Sequence, residues 1–201
     1  DLKWLLRSRV FVFLFIGVGT KVGFVPMHTW LPDAHSKTPS PVSAVLSGIL
    51  LNVAFAILLR AKLVADASLG SSAWTGTFFL AFGILSIILP AFIMLVQKNY
   101  KRMLAYSSIE HMGLMAFAVG LGPFGLIPAL IHMAGHALAK PALFIGAGEI
   151  LHETGTTHIS DVHGIIRRLP KTGVLFFIAL FALLAAPPSA LARRPPAREC
   201  G

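Results

Sequence analysis

The sequence predicts an all-α integral membrane protein, a polytopic bundle of helices, on three observations. Hydrophobic residues make up 56% of its 201 residues and charged residues only 12%, against roughly one quarter charged in ordinary soluble domains. Six runs approach or reach the roughly 20 mostly apolar residues that cross the hydrocarbon of a bilayer. These runs are too long for barrel strands and lack the two-residue alternation such strands require.

The six spans fall at 10–27, 42–59, 73–96, 103–121, 124–150 and 172–188. The first contains Lys21 within Gly17-Val18-Gly19-Thr20-Lys21-Val22-Gly23-Phe24-Val25-Pro26, where three glycines and a proline predict a loosened or broken helix. The third is the cleanest, uncharged from Phe78 to Val96, and Pro90 within it predicts a kink. The fourth opens with Tyr106-Ser107-Ser108-Ile109-Glu110-His111, and a minimal Gly120-Leu121-Gly122-Pro123 turn leads into the fifth. From Pro187 the chain reads PPSALARRPPARECG, without periodicity; residues 189–201 form an atypical basic tail that resembles an out-of-frame reading, a genuine tail being the alternative.

Between the spans, Lys37, Lys98, Lys101, Arg102, Arg167, Arg168 and Lys171 fall on one side, and Lys3, Arg7, Arg9, Arg60 and Lys62 on the other. The excess places the 29–41, 97–102 and 152–171 connections in the cytoplasm. The net charge of +9 sits in these short clusters and not on a continuous basic face, which argues against a nucleic-acid partner. The single cysteine, Cys200, supplies neither a disulfide framework nor a thiolate metal site.

Chemistry concentrates in a few intramembrane polar groups. Lys21 lies deep in the first span, where a charged lysine is costly; it is expected to face the protein interior, pair with a carboxylate or water, or lose its proton. His132, His136 and Lys140 stand at i, i+4 and i+8 and line one face of the fifth span. Imidazole passes protons between its two nitrogens near neutral pH, so this stripe reads as a segment of proton wire. Ser107 and His111 share a face of the fourth span, where Glu110 offers a carboxylate to a lysine of another helix. Asn52, in the second span, can hold a water chain or join two helices.

Other readings of the same residues stay open. The polar groups can serve only as hydrogen bonds between helices. His132 and His136 have the zincin spacing, but Met133 stands where the catalytic glutamate would be. A haem between His132 and His111 is conceivable. No dinucleotide or phosphate-loop signature fits, and with no iron–sulfur or flavin motif no cofactor is expected in this chain, so any oxidoreductase label belongs to a larger complex.

The strings themselves carry a resemblance. Lys21 followed by Val25-Pro26-Met27-His28-Thr29-Trp30-Leu31-Pro32-Asp33-Ala34-His35 and then Pro39-Ser40-Pro41-Val42-Ser43-Ala44 closely resembles the antiporter-like membrane subunits of respiratory complex I. Lys101-Arg102-Met103-Leu104-Ala105-Tyr106-Ser107-Ser108-Ile109-Glu110-His111-Met112-Gly113 and His136-Ala137-Leu138-Ala139-Lys140 look most like the hydrogenase-4 branch of that family, which also includes multi-subunit sodium/proton antiporters. The resemblance covers about residues 10 to 185.

It implies a fragment of two inverted five-helix repeats with a broken helix near Lys21, in the inner membrane of a prokaryote. It further implies a proton-translocating subunit with other membrane and peripheral subunits as partners. Lys21 would be the central lysine of the first repeat, with Lys140 and His136 in the corresponding half-channel of the second. Asn52 would stand where some relatives carry a linking lysine or histidine. The glutamate partner of the central lysine would lie upstream of Asp1, and the terminal charge of the path beyond Ala186. A subunit of a sodium/proton antiporter and a purely structural membrane subunit are the alternative functions.

Overall fold

The computed structural model describes residues 2–184; the basic tail at 189–201 and the end of the sixth predicted span lie outside the described residues. The chain forms α1 (Leu2–Val22), α2 (Trp30–Lys37), α3 (Ser40–Val45), a π-turn (Leu46–Leu50), α4 (Leu51–Leu69), α5 (Ala73–Leu95), α6 (Tyr100–Gly120), α7 (Pro123–Thr154), a 3₁₀ turn (Ile159–Asp161), α8 (Ile165–Arg168) and α9 (Pro170–Leu183). Among the described residues no strand occurs beyond an isolated bridge between Asn99 and His158.

The helix break expected around Lys21 falls just after it. α1 stays intact to Val22, and the backbone N–H groups of Gly23 and Phe24 both reach the carbonyl of Gly19, at 2.9 and 3.1 Å. Gly23 takes a positive φ of 85°, which a side chain would resist. The connection read as a loop at 29–41 instead holds α2 and the first residues of α3. Proline is tolerated in the first turn of a helix, where its missing N–H has no partner in any case, and Pro32 and Pro41 both sit there. The Trp30 indole N–H donates to the Thr20 carbonyl at 2.7 Å and ties α2 to the end of α1.

α3, the π-turn and α4 form one helical tract from Ser40 to Leu69, which runs well past the end of the second apolar run. Gly70, left-handed at φ 70°, ends it. The extension is held by Lys62, which donates to Asp66 at 2.6 Å one turn on and to Thr75 of α5 at 3.1 Å. This tract and α5 are long and apolar enough to cross a membrane. α5 and α6 pack backbone to backbone where Gly83 meets Gly113, close enough that a Cβ on Gly113 would lie 2.8 Å from Ser86. Small residues at such crossings are how helices associate in lipid, where no hydrophobic force draws them together.

Phe15, Phe24, Phe55 and Phe79 fill one apolar core among α1, α4, α5 and α6, while Leu143 and Phe144 of α7 anchor a second core with Ala44 and Ala179. Phe124, Leu95 and Leu138 are 93%, 81% and 79% exposed, an outer surface suited to lipid or neighbouring helices. At one end, Ile159 N–H bonds the Lys98 carbonyl at 2.9 Å, Lys101 Nζ bonds the Thr38 carbonyl at 3.1 Å, and Arg102 meets Asp33 at 3.1 Å. The 29–41, 97–102 and 152–171 connections therefore share one face of the bundle.

Candidate functional site

The polar residues of α4, α6 and α7 meet between the two apolar cores. Lys140 is wholly buried, and its Nζ donates to Ser107 Oγ at 2.6 Å and to the Leu104 carbonyl at 3.1 Å. That carbonyl also accepts from the hydroxyls of Ser107 and Ser108. Glu110, half-buried on the same helix, is the carboxylate whose charge reaches Lys140, and no direct ion pair joins them. A lone ammonium in such a place is held by hydrogen bonds and a distant countercharge, an arrangement in which a small electrostatic change moves the proton.

One turn back on α7, the buried His136 presents Nδ1 to Asn52 Nδ2 of α4 at 3.4 Å. The amide nitrogen of Asn52 is a donor only and also bonds the Gly48 carbonyl at 2.6 Å. This network assigns Nδ1 as the acceptor and leaves the ring proton on Nε2; that Nε2 and Asn52 Oδ1 are buried without a hydrogen-bond partner among the described residues. The His111 ring lies 5.7 Å from His136, centroid to centroid, and its Nδ1 stands 3.0 Å from His132 Nε2. An N–H···N bond of that length lets either ring hold the shared proton.

The π-turn gives Asn52 its aim. A π-turn shifts the register of the residues after it and recurs at functional sites. Here it lies against Pro141 of α7: a Cβ on Gly48 would come 2.3 Å from Pro141 Cγ and 3.2 Å from the Ala137 carbonyl, the carbonyl that Pro141, lacking an N–H, leaves without its helical bond. Only glycine allows the π-turn and α7 this close. The same turn offers Ser47, whose hydroxyl lies 3.0 Å from Ser108 Oγ.

The structure therefore brings together His132, His136, Lys140, Asn52, His111 and, at one remove, Glu110. It does not bring in Lys21. Phe11, Phe15 and Val22 turn the inner face of α1 toward the core, and Lys21 lies off that face, exposed; the interior position expected of it is not seen among the described residues. Glu149, the other acid of the span region, is exposed and accepts from Thr172 of α9. The Ser47–Ser108 contact, missed in the sequence, had no periodic signal beyond two serines on separate helices.

The rival sites fare differently. His111 and His132 touch directly at 3.0 Å, whereas two in-line metal–nitrogen bonds of about 2 Å would hold the nitrogens about 4 Å apart, so no haem iron fits between them as they stand. Among the described residues no three His, Cys, Asp or Glu side chains are grouped to hold a metal ion.

Comparison with known proteins adds to this geometry. Residues 2–192 match the family model described as NADH:quinone oxidoreductase/Mrp antiporter, transmembrane. The chain is 41% identical over 179 residues to a hydrogenase-4 component F homolog of Methylacidiphilum infernorum, covering 89% of this chain and 37% of the relative. It is 34% identical to hydrogenase-4 component B of Escherichia coli over 91% of this chain and 29% of that protein. Among solved structures, an archaeal membrane-bound sulfane sulfur reductase chain superposes with a TM-score of 0.78 at 28% identity, over 90% of this chain and 38% of the other. A chain of the Mrp complex from Dietzia gives 0.82 at 23% identity, over 90% and 34%, and shows likeness of fold. The chain spans about a third of the length of these relatives.

Proposed function

From membership of the NADH:quinone oxidoreductase/Mrp antiporter transmembrane family, to which this chain belongs, we propose that it is part of a proton-translocating, multi-pass subunit of a prokaryotic inner-membrane redox complex of the hydrogenase-4, formate hydrogenlyase or NADH:quinone oxidoreductase type. Its partners would be the other membrane and peripheral subunits of that complex, where the electron-transfer chemistry resides. The observation that carries the reading is the buried Lys140, one and two turns along a single face of α7 from His136 and His132 and bonded across to Ser107 of α6.

In this reading a proton resides on Lys140 Nζ and is released when the field at Glu110 or the hydration of the site changes. It passes by way of water to His136, which takes it at Nδ1 as the 3.4 Å contact with Asn52 opens and gives up its Nε2 proton, again through water, to the His111–His132 pair. Transfer along the 3.0 Å bond exchanges donor and acceptor, and each imidazole then gives or takes a proton at its other nitrogen; the inverted tautomers are reset by turnover of the rings before the next proton follows the same way. The stripe covers about 12 Å of helix axis. Asn52 carries no proton of its own and orients His136. Lys21 would belong to a separate stretch of the path, on the outer face of α1.

The test is proton uptake by inverted vesicles carrying the full-length protein in its complex. Lys140→Met and Lys21→Ala are compared with wild type at equal assembly and equal electron transfer. Loss of uptake supports the relay, and unchanged uptake in both variants leaves a membrane scaffold. Sodium-dependent exchange without electron transfer would move the reading to a subunit of a sodium/proton antiporter, which the family also contains.

A further inference from the structure

A further buried imidazole lies near Lys140 and takes no part in the relay described above. His35 of α2 is wholly buried, with its ring stacked on Phe144 at 4.7 Å and 18°. Phe144 follows Lys140 by one turn on the same helix. Neither Nδ1 nor Nε2 of His35 has a hydrogen-bond partner among the described residues, and both atoms are shielded from solvent. A buried imidazole needing nothing more than packing would be better replaced by phenylalanine, because an unmet donor and acceptor in a dry interior are costly.

The backbone that carries the ring begins a line of polar groups that leads outward. The His35 carbonyl accepts from Ser43 Oγ at 3.2 Å, Ser43 Oγ lies 3.0 Å from Thr38 Oγ1, and the Thr38 carbonyl accepts Lys101 Nζ at 3.1 Å. Lys101 is itself only 2% exposed and stands at the end of the bundle where the basic connections gather. The charges felt at the imidazole are those of Lys140 on α7 and Lys101 on α6. Burial first, and these lysines second, push its pKa down to about 4, so at neutral pH the ring offers one N–H and one lone pair. A buried donor and acceptor without protein partners among the described residues, within the field of two buried lysines, are groups that ordered water can satisfy.

We propose that His35 is a further relay residue, carrying a hydrated branch that joins Lys140 to the end of the bundle marked by Lys101 and Thr38. A proton taken up at one ring nitrogen through water is matched by a proton released from the other, so the branch conducts without net charge left on the ring. The inference rests on the proton-relay reading of Lys140.

The test uses the full-length protein in its complex, in inverted vesicles, with His35→Gln and His35→Phe compared against Lys140→Met. Glutamine keeps polar groups at the site but cannot titrate; phenylalanine keeps the stacking on Phe144 and excludes water. The expected result is normal assembly and electron transfer by both His35 variants, with proton uptake reduced about tenfold. Wild-type uptake by either assembled His35 variant, while Lys140→Met is inactive, overturns the branch and leaves the relay standing. Wild-type uptake by Lys140→Met removes the relay reading itself. Failure of both His35 variants to assemble assigns the ring to packing and also overturns the branch.

Discussion

Asn52 Nδ2 lies 3.4 Å from Nδ1 of His136, across the α4–α7 contact, while the same amide nitrogen bonds the Gly48 carbonyl at 2.6 Å. One side chain thereby joins the π-turn to the histidine stripe and fixes which nitrogen of His136 carries the proton. A residue that only joined two helices would need neither the π-turn nor a buried imidazole opposite it.

Replacing Asn52 by leucine keeps the volume and removes both donations. Hydrogen bonds between membrane helices average about 0.6 kcal/mol, so the helical bundle is expected to assemble normally. His136 Nδ1 loses the partner that orients it, and proton uptake in vesicles is expected to fall several-fold at unchanged electron transfer. Loss of assembly with uptake per assembled complex unchanged would make Asn52 a helix-joining residue instead.

Gly48→Ala is expected to be severe for a different reason. The new methyl would lie 2.3 Å from Pro141 Cγ, and overpacking a close contact costs about 1–3 kcal/mol. Gly135→Ala, in the same helix as Pro141 but with nothing within 4 Å of the added carbon, serves as the control. Thermal unfolding of the detergent-solubilised full-length protein should show a clear drop for Gly48→Ala and little change for Gly135→Ala. Equal melting of the two would mean that the π-turn and α7 can separate without penalty.

Much of this is legible in the residues, and the exceptions have physical causes. α5 reads directly from its uncharged run, and the i, i+4, i+8 spacing of His132, His136 and Lys140 is enough to place them on one helix face. α4 runs to Leu69 because Lys62 and Asp66 pair at i and i+4, a helical signal that hydropathy registers as the end of a span. α2 reads as loop because Pro32 and Pro39 resemble breakers, although proline at a helix start is no obstacle. The side of α1 that Lys21 occupies depends on which of its neighbours finds a partner, and contacts between distant segments, such as Ser47 with Ser108 or His35 with Phe144, leave no periodic trace.

Ser107→Ala removes the hydroxyl that accepts from Lys140 Nζ at 2.6 Å and leaves the Leu104 carbonyl to accept from it alone among the described residues. Hydrogen bonds to charged groups contribute about 1.5–3 kcal/mol, so the protonated form of Lys140 is expected to lose a comparable amount of stabilisation. The neutral amine, which needs that acceptor less, should be favoured. The pH at which proton uptake is half-maximal should therefore move downward relative to wild type, with assembly unaffected. A profile that does not move would mean that Ser107 is not the acceptor that matters to Lys140 during turnover.

His111 and His132 share one hydrogen bond at 3.0 Å, and two groups that act as a unit give non-additive losses when both are removed. His111→Phe and His132→Phe are each expected to lower proton uptake by about tenfold, or about 1.4 kcal/mol at the limiting step. The double variant should fall no further than the worse single one, because either change already breaks the same bond. A double variant about a hundredfold below wild type, the product of two independent losses, would show that the two histidines serve separate steps, and the transfer assigned to their shared proton would have to be abandoned.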